Sequence, residues 1–315
     1  MARALIAALL IIGVAIGGYS SYTYHLASKP GEPTKHGSPH LMPEDRFVDV
    51  AGTTIRVRDE GPKDAPTLLM LHGFTFSLES WNDVADDLVG EFRVVRYDLL
   101  GHGLSGPDPQ KRYAPHERAS FLGEVIETLD LKDPVLLGNS LGGLVSWRFA
   151  ANHPDDARAL VLVSPGAFPF NGVGNEPAPV PSTVRFFLHY PNQATVRATF
   201  DSVYGGGTVP SEERVDTTLA MMRGNGDAYV ASLEEFTLPD PEADLMKLTA
   251  PTLIIWGSED ALISPSDGPK MTALIANARL LTYPGVGHVA QEEMPARLAQ
   301  DIREFLDSSL LGVTE

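Results

Sequence analysis

The sequence predicts an α/β fold: a mostly parallel, eight-stranded sheet flanked by helices, with a helical lid inserted between two of its strands. Three observations carry this. From Phe47 onward, short apolar runs alternate with helix-length amphipathic stretches. Most of the strand runs are apolar throughout, as expected for strands covered on both faces of a parallel sheet. One long gap, Ser164 to Lys247, breaks the alternation and reads as an insertion.

The elements follow in order. F-V-D-V and T-T-I-R-V-R alternate as strands do, with Ala51-Gly52 as the turn between them. Thr67–Leu71 is a strand, Leu78–Leu88 has helical spacing, Phe92–Tyr97 is a strand and Ala119–Leu129 a helix. Pro134–Gly138 runs directly into a helix over Leu141–Ala151, and Ala159–Val163 is the next strand. The insertion opens on a Pro/Gly-rich stretch and continues with helical segments such as T-V-R-F-F-L and V-D-T-T-L-A-M-M. Pro251–Trp256 (strand), Ser266–Ala276 (helix), Arg279–Tyr283 (strand) and Ala296–Leu306 (helix) close the core. The division expected is a core of residues 46–165 and 246–315 with a lid over 166–245.

Composition narrows the function. With 43% hydrophobic and 21% charged residues the chain is globular in type. A formal net charge of −17 argues against a nucleic-acid partner, because such a surface repels phosphate backbones. Having no cysteine, the chain has no disulfide, Cys-based zinc site or thiol nucleophile. No H-E-x-x-H or calcium-loop spacing occurs, so no metal site is expected. Gly205-Gly206-Gly207 lacks the lysine of a phosphate loop and reads as a hinge or turn.

Residues 1–24 begin with Arg3 and an apolar run from Ala4 to Gly18, followed by Tyr19, Tyr22 and Tyr24. Three readings stand: an uncleaved membrane anchor with interfacial tyrosines, a signal peptide cleaved near Gly17–Ser20, or a plain buried helix. Either of the first two exports the domain that follows, to an extracytoplasmic, secreted or periplasmic location. Residues 25–45, with four prolines and two glycines between Ser28 and Pro43, read as a flexible linker. Oligomeric state is not legible.

The chemistry is carried by Gly138-Asn139-Ser140-Leu141-Gly142, set between a strand and a helix. A serine on so sharp a turn needs small neighbours, which the flanking glycines supply. A serine hydroxyl is a weak nucleophile and needs a base, and the base needs an acid to orient it. Asp260, after the strand P-T-L-I-I-W, fits the acid, with Glu259 beside it as the alternative. His288, after L-L-T-Y and the loop P-G-V-G, fits the base. The backbone N–H groups of Phe74 and Leu141 are placed to form an oxyanion hole, and Phe74 also to line the pocket. His72, His102 and Asp98 read as bracing for that loop. Phe187, Phe200, Tyr204 and Phe236 are candidates either for an acyl pocket or for simple packing.

The motifs H-G-F at 72–74, D-L-L-G-H-G-L-S from Asp98, G-N-S-L-G-G, W-G-S-E-D and G-V-G-H together resemble the α/β-hydrolase superfamily. The resemblance implies the α/β-hydrolase fold from about Arg46 onward and a serine hydrolase, esterase- or lipase-like, with no cofactor and a small-molecule ester or lipid-like substrate. Relatives that dehalogenate haloalkanes or open epoxides carry aspartate where this chain has Ser140, which sets their chemistry aside. G-N-S-L-G-G and G-H-V-A-Q-E are also similar to C–C-bond hydrolases acting on dienoate ring-fission products. That resemblance would make Asn139 a substrate-binding residue, but those enzymes usually carry tryptophan where this chain has Val289, and a glycine-rich oxyanion loop in place of G-F-T-F-S. A third reading, of another class, is a non-catalytic binding protein on a hydrolase fold.

Overall fold

The computed structural model describes residues 38–310. The anchor or signal reading of residues 1–24, and most of the linker, lie outside the described residues. Among the described residues no helix is long and apolar enough to cross a membrane.

The first strands, β1 (Asp45–Val50) and β2 (Thr53–Glu60), form an antiparallel hairpin in which Val50 faces Thr53. Its two-residue turn has positive φ at both Ala51 (43°) and Gly52 (83°), the geometry that suits the twist of a hairpin. The sequence placed the start of order near Phe47. The strand starts at Asp45 because that carboxylate takes both the Nε and Nη2 donors of Arg58, its register partner (2.6 and 3.0 Å).

Then come β3 (Thr67–Leu71), a 3₁₀ turn (Leu78–Trp81) leading into α1 (Asn82–Leu88), β4 (Arg93–Tyr97) and α2 (Pro115–Thr128). Helix α2 begins four residues before the periodicity suggests. Pro115 sits at its first turn, where a missing N–H costs nothing, and the Glu117 side chain accepts from Ala114 N–H (3.1 Å). Next are β5 (Val135–Asn139), α3 (Leu141–Asn152) and β6 (Ala159–Val163). Five helices fill the insertion: α4 (Ser182–His189), α5 (Gln193–Val203), α6 (Glu212–Met222), α7 (Gly226–Glu234) and the single turn α8 (Glu242–Leu245). The core resumes with β7 (Thr252–Gly257), α9 (Asp267–Leu274), β8 (Ala278–Tyr283), the short α10 (Ala290–Glu293) and α11 (Pro295–Leu310).

All eight strands form one sheet in the order β1-β2-β4-β3-β5-β6-β7-β8, parallel from β4 through β8. Helices cover both faces, which is why β3, β5, β6 and β7 are buried residue by residue. One face packs on α2 and α3 through Phe121, Leu122, Leu144 and Trp147. The other packs on α1 and on the stripe Leu298, Ala299, Ile302, Phe305 and Leu306 of α11, which repeats at helical spacing. The inserted helices bury an apolar cluster of their own (Val184, Phe187, Val196, Phe200, Leu219, Met222, Tyr229), to which the core adds Phe76 and Val289.

Candidate active site

The loops that follow β3, β5, β7 and β8 all leave the carboxyl edge of the sheet and meet there. Strands β3 and β5 are neighbours although β4 lies between them in sequence, so the winding reverses at this point. Open α/β sheets place ligands in such a crevice.

Strand β5 ends at Asn139 and α3 begins at Leu141, so Ser140 alone makes the turn. Its backbone sits at φ 53°, ψ −112°, a sparsely populated region for a residue with a side chain, costing roughly 1–3 kcal/mol. The surroundings hold it there. Ser140 N–H donates to Val163 O (3.1 Å), and its carbonyl accepts from Leu144 N–H (2.9 Å) and Gly166 N–H (3.1 Å). Both flanking glycines are sterically required: a Cβ at Gly138 would lie 2.4 Å from Gly142 O, and one at Gly142 would lie 2.3 Å from Leu71 O. A serine in this place ordinarily accepts from the first turn of its helix. Ser140 makes no such bond, so its hydroxyl is not spent on capping.

Asp260 lies three residues past β7 and is buried. Its Oδ1 accepts from the N–H groups of Leu262 and Ile263, both at 2.9 Å. Its Oδ2 is thereby left to face His288 Nδ1 at 2.8 Å. Burial works to raise this carboxyl, but the His288 charge and hydrogen bond, helped by Ile263 N–H, hold it below the usual carboxylate range. An ionised Asp260 keeps the imidazole proton on Nδ1 and makes Nε2 the basic nitrogen. That Nε2 is buried with no hydrogen-bond partner among the described residues, and His288 and Ser140 line one cavity. Glu259, the alternative acid, is exposed and accepts instead from Gly206 N–H (2.7 Å).

The loop after β3 runs beside the serine. A Cβ on Gly73 would lie 3.3 Å from Ser140 Cβ and 2.9 Å from Asn139 Oδ1. Phe74 and Leu141 thus flank Ser140, and Leu141 N–H, the first of α3, has no acceptor within its own helix. The Phe74 ring meets His102 and Tyr229 edge-on, at 5.6 and 5.5 Å between centroids. His72 accepts from Leu99 N–H at Nε2 (3.0 Å), which leaves its Nδ1–H to donate to Gly73 O (2.7 Å). Burial pushes its pKa down to about 4 and holds that of His102 well below the ordinary value, so both are neutral braces. Asp98 ties the same region together by accepting from Leu78 N–H (2.9 Å), Leu104 N–H (2.7 Å) and Arg56 Nε (2.7 Å).

Two features were not legible in the sequence. Arg56 is fully buried and also holds Glu79 through both terminal nitrogens at 2.8 Å, building an ionic layer under the loop after β3. No short motif links residues 56, 79 and 98; only the pairing of β2 with β4 and the turn before α1 bring them together. Asn139, read as a substrate contact, directs its amide N–H groups to Val163 O (3.1 Å) and His288 O (3.0 Å).

The cavity above Ser140 measures about 330 Å³ and is mostly apolar, with Phe74, Phe76, Phe187, Tyr204, Phe236 and Leu262 among its walls. Of the four aromatic residues singled out in the insertion, Phe187, Tyr204 and Phe236 line it, whereas Phe200 packs within the inserted helices.

Comparison with known proteins accords with this architecture. The chain is 30% identical over 272 residues to the non-heme chloroperoxidase of Streptomyces lividans, covering 82% of this chain and 97% of that protein. It is 28% identical to Lipase 3 of Moraxella sp. strain TA144, covering 76% and 77% respectively. A solved hydrolase from Pseudomonas aeruginosa PA01 matches with a TM-score of 0.70 at 25% identity, over 85% of this chain and 100% of that one. The pattern that defines the alpha/beta hydrolase fold matches residues 66–295, and the chain belongs to that family.

Proposed function

We propose that this hydrolase is a serine enzyme cleaving carboxylic esters through an acyl-enzyme on Ser140. One observation carries the reading. A strained serine with an uncommitted hydroxyl shares a cavity with a histidine whose Nδ1 is engaged by a buried aspartate and whose Nε2 has no protein partner. In the first half, Ser140 Oγ bonds to the ester carbonyl carbon as His288 Nε2 takes its proton, with Asp260 stabilising the imidazolium. The N–H groups of Phe74 and Leu141 receive the oxyanion, each such donor being worth about 2.7–4 kcal/mol. The C–O bond then breaks and the alcohol leaves with the proton from His288. Water, deprotonated by the same nitrogen, releases the acid and returns Ser140.

The apolar walls favour esters with a hydrocarbon acyl group, and the inserted helices would act as the lid that closes over it. A relative named as a lipase is consistent with that class. In the C–C-bond reading Asn139 would hold substrate; it lines the cavity, but its amide N–H groups are committed to two backbone carbonyls, which leaves only Oδ1 for that contact. We further propose export, on the strength of the apolar run after Arg3.

The test is hydrolysis of p-nitrophenyl esters of graded acyl length by the wild type beside Ser140→Ala. The wild type should turn over with an optimum set by the cavity, and Ser140→Ala should fall to background while staying folded. An active Ser140→Ala excludes the acyl-enzyme. A wild type inert to every ester would favour the C–C hydrolase or binding-protein reading.

A further inference from the structure

The inserted helices do more than roof the cavity, because one stretch of them is built into the loop that carries His288. Val203 O, at the end of α5, accepts from the backbone N–H of His288 at 2.6 Å. Immediately after it, Gly205 lies so close to that loop that a Cβ on it would stand 2.5 Å from Gly287 N. A Cβ on Gly287 would in turn stand 2.4 Å from Val203 O. Only glycine at both positions permits this approach. Glu292 and Glu259 each accept from the inserted segment, at Tyr204 Oη and Gly206 N–H, but a third carboxylate takes a donor from both sides of the junction. Glu293, half-buried at the end of α10, accepts from Gly205 N–H with Oε2 and from Gly287 N–H with Oε1, both at 2.8 Å. Each oxygen thus holds one side of the seam.

We infer that Glu293 is a positioning residue for His288: it fixes Gly287, and through it the imidazole, against the inserted helices. The inference rests on the serine-hydrolase reading of the site. Glu293 is not itself in contact with the reacting atoms. Its part is to hold the base where Ser140 can use it, a placement in which a shift of about 1 Å can cost on the order of 100-fold in rate. Two backbone donors converge on it, so the site needs two acceptor oxygens. A glutamine there would turn an NH₂ group toward one of the two N–H groups. Glu259 supplies the internal control. It accepts from Gly206 N–H, on the same inserted segment, but makes no bond to Gly287.

The experiment is phosphonylation of the full chain by a fluorophosphonate, which needs no knowledge of the natural ester. Ser140 Oγ bonds to phosphorus, fluoride leaves and His288 takes the serine proton. Saturation kinetics separate the maximal labelling rate from half-saturation, and a thermal midpoint is recorded for each variant. Glu293→Gln should lower the maximal rate about tenfold or more, with half-saturation and midpoint little changed. Glu293→Asp, which keeps both oxygens on a shorter stem, should fall between it and the wild type, and remains readable if the glutamine variant folds poorly. Glu259→Gln should stay within about twofold of the wild type. Equal rates for wild type, Glu293→Gln and Glu293→Asp would overturn the role, as would an equal loss in Glu259→Gln, which would mark general anchoring of the segment. A wild type that is not labelled at all while Ser140 is intact would instead remove the serine-hydrolase reading, and the base that Glu293 is held to position.

Discussion

The two halves of the site are braced by different physics. On the β3–β4 side, the loop bearing Phe74 stands on a buried ionic layer, Arg56 with Glu79 and Asp98. On the β5–β8 side, Ser140, Asp260 and His288 are held by backbone hydrogen bonds and by glycines packed without room for a Cβ. Charges hold a loop in a low-dielectric interior only while each keeps its partner and its proton state. Glycine contacts are indifferent to pH but tolerate no added atom. One half should therefore fail through charge and the other through shape and orientation.

The sharpest way to break the second half is to change orientation alone. Asp260→Asn keeps Oδ1 for Leu262 and Ile263 but turns an NH₂ group toward His288 Nδ1. The imidazole must then carry its proton on Nε2 and cannot accept one from Ser140. The expected loss in kcat is on the order of 10⁴-fold, with little change in stability. Steady-state kinetics with a thermal melt check both parts, and a loss below tenfold would mean that Asp260 does not set the tautomer.

The first half should break the other way, in stability before chemistry. Arg56→Met leaves Asp98 buried without its cation and Glu79 with only the more distant Arg58 (3.6 Å), a loss of about 3–5 kcal/mol by denaturant titration. Acid should reach the same layer. Burial works to raise the Glu79 carboxyl, but Arg56, Ser77 and Arg58 bring it down to about 2. A carboxyl depressed in the folded state stabilises the fold above its unfolded pKa of about 4.5, and that contribution is lost as pH falls toward 2. The buried neutral His72, depressed to about 4, adds a loss of the same sign between pH 6.5 and 4. Glu79→Gln should be less stable near neutrality and flatter between pH 4.5 and 2 than the wild type. A stability curve with the wild-type slope in that window would remove Glu79 from the account.

The same contrast explains what could be read from sequence. The glycine-built half was legible because its constraints are local: G-N-S-L-G-G must be small within a few residues, and Asp260 and His288 each follow a recognisable strand. The parallel sheet was legible for a related reason, as apolar runs such as Leu68–Leu71 and Ala159–Val163 advertise burial on both faces. The ionic layer was not. Arg56 sits in an alternating strand that reads as half-exposed, and its partners lie 23 and 42 residues away. The seam between Val203–Gly207 and the His288 loop was equally silent. Three consecutive glycines suggest a hinge, but nothing local says that Gly205 and Gly206 abut Gly285 and Gly287.

Asn139 joins the two sides of that contrast and gives the smallest effect. Its side chain lies at the end of β5, beside Gly73 of the first half, and its amide reaches the carbonyls of Val163 and His288 in the second. If those two bonds are its work, Asn139→Ala loosens the His288 backbone without removing any contact to substrate. The loss should then fall on kcat, about tenfold, which corresponds to ~1.4 kcal/mol and the scale of one net buried hydrogen bond, with KM within about twofold. A residue that grips substrate equally in the ground and transition states shows the opposite pattern, a raised KM at constant kcat. The split between the two constants, measured on the best p-nitrophenyl ester, therefore decides whether this asparagine serves the histidine or the substrate. A raised KM alone would return the substrate to Asn139 and with it the resemblance to C–C-bond hydrolases.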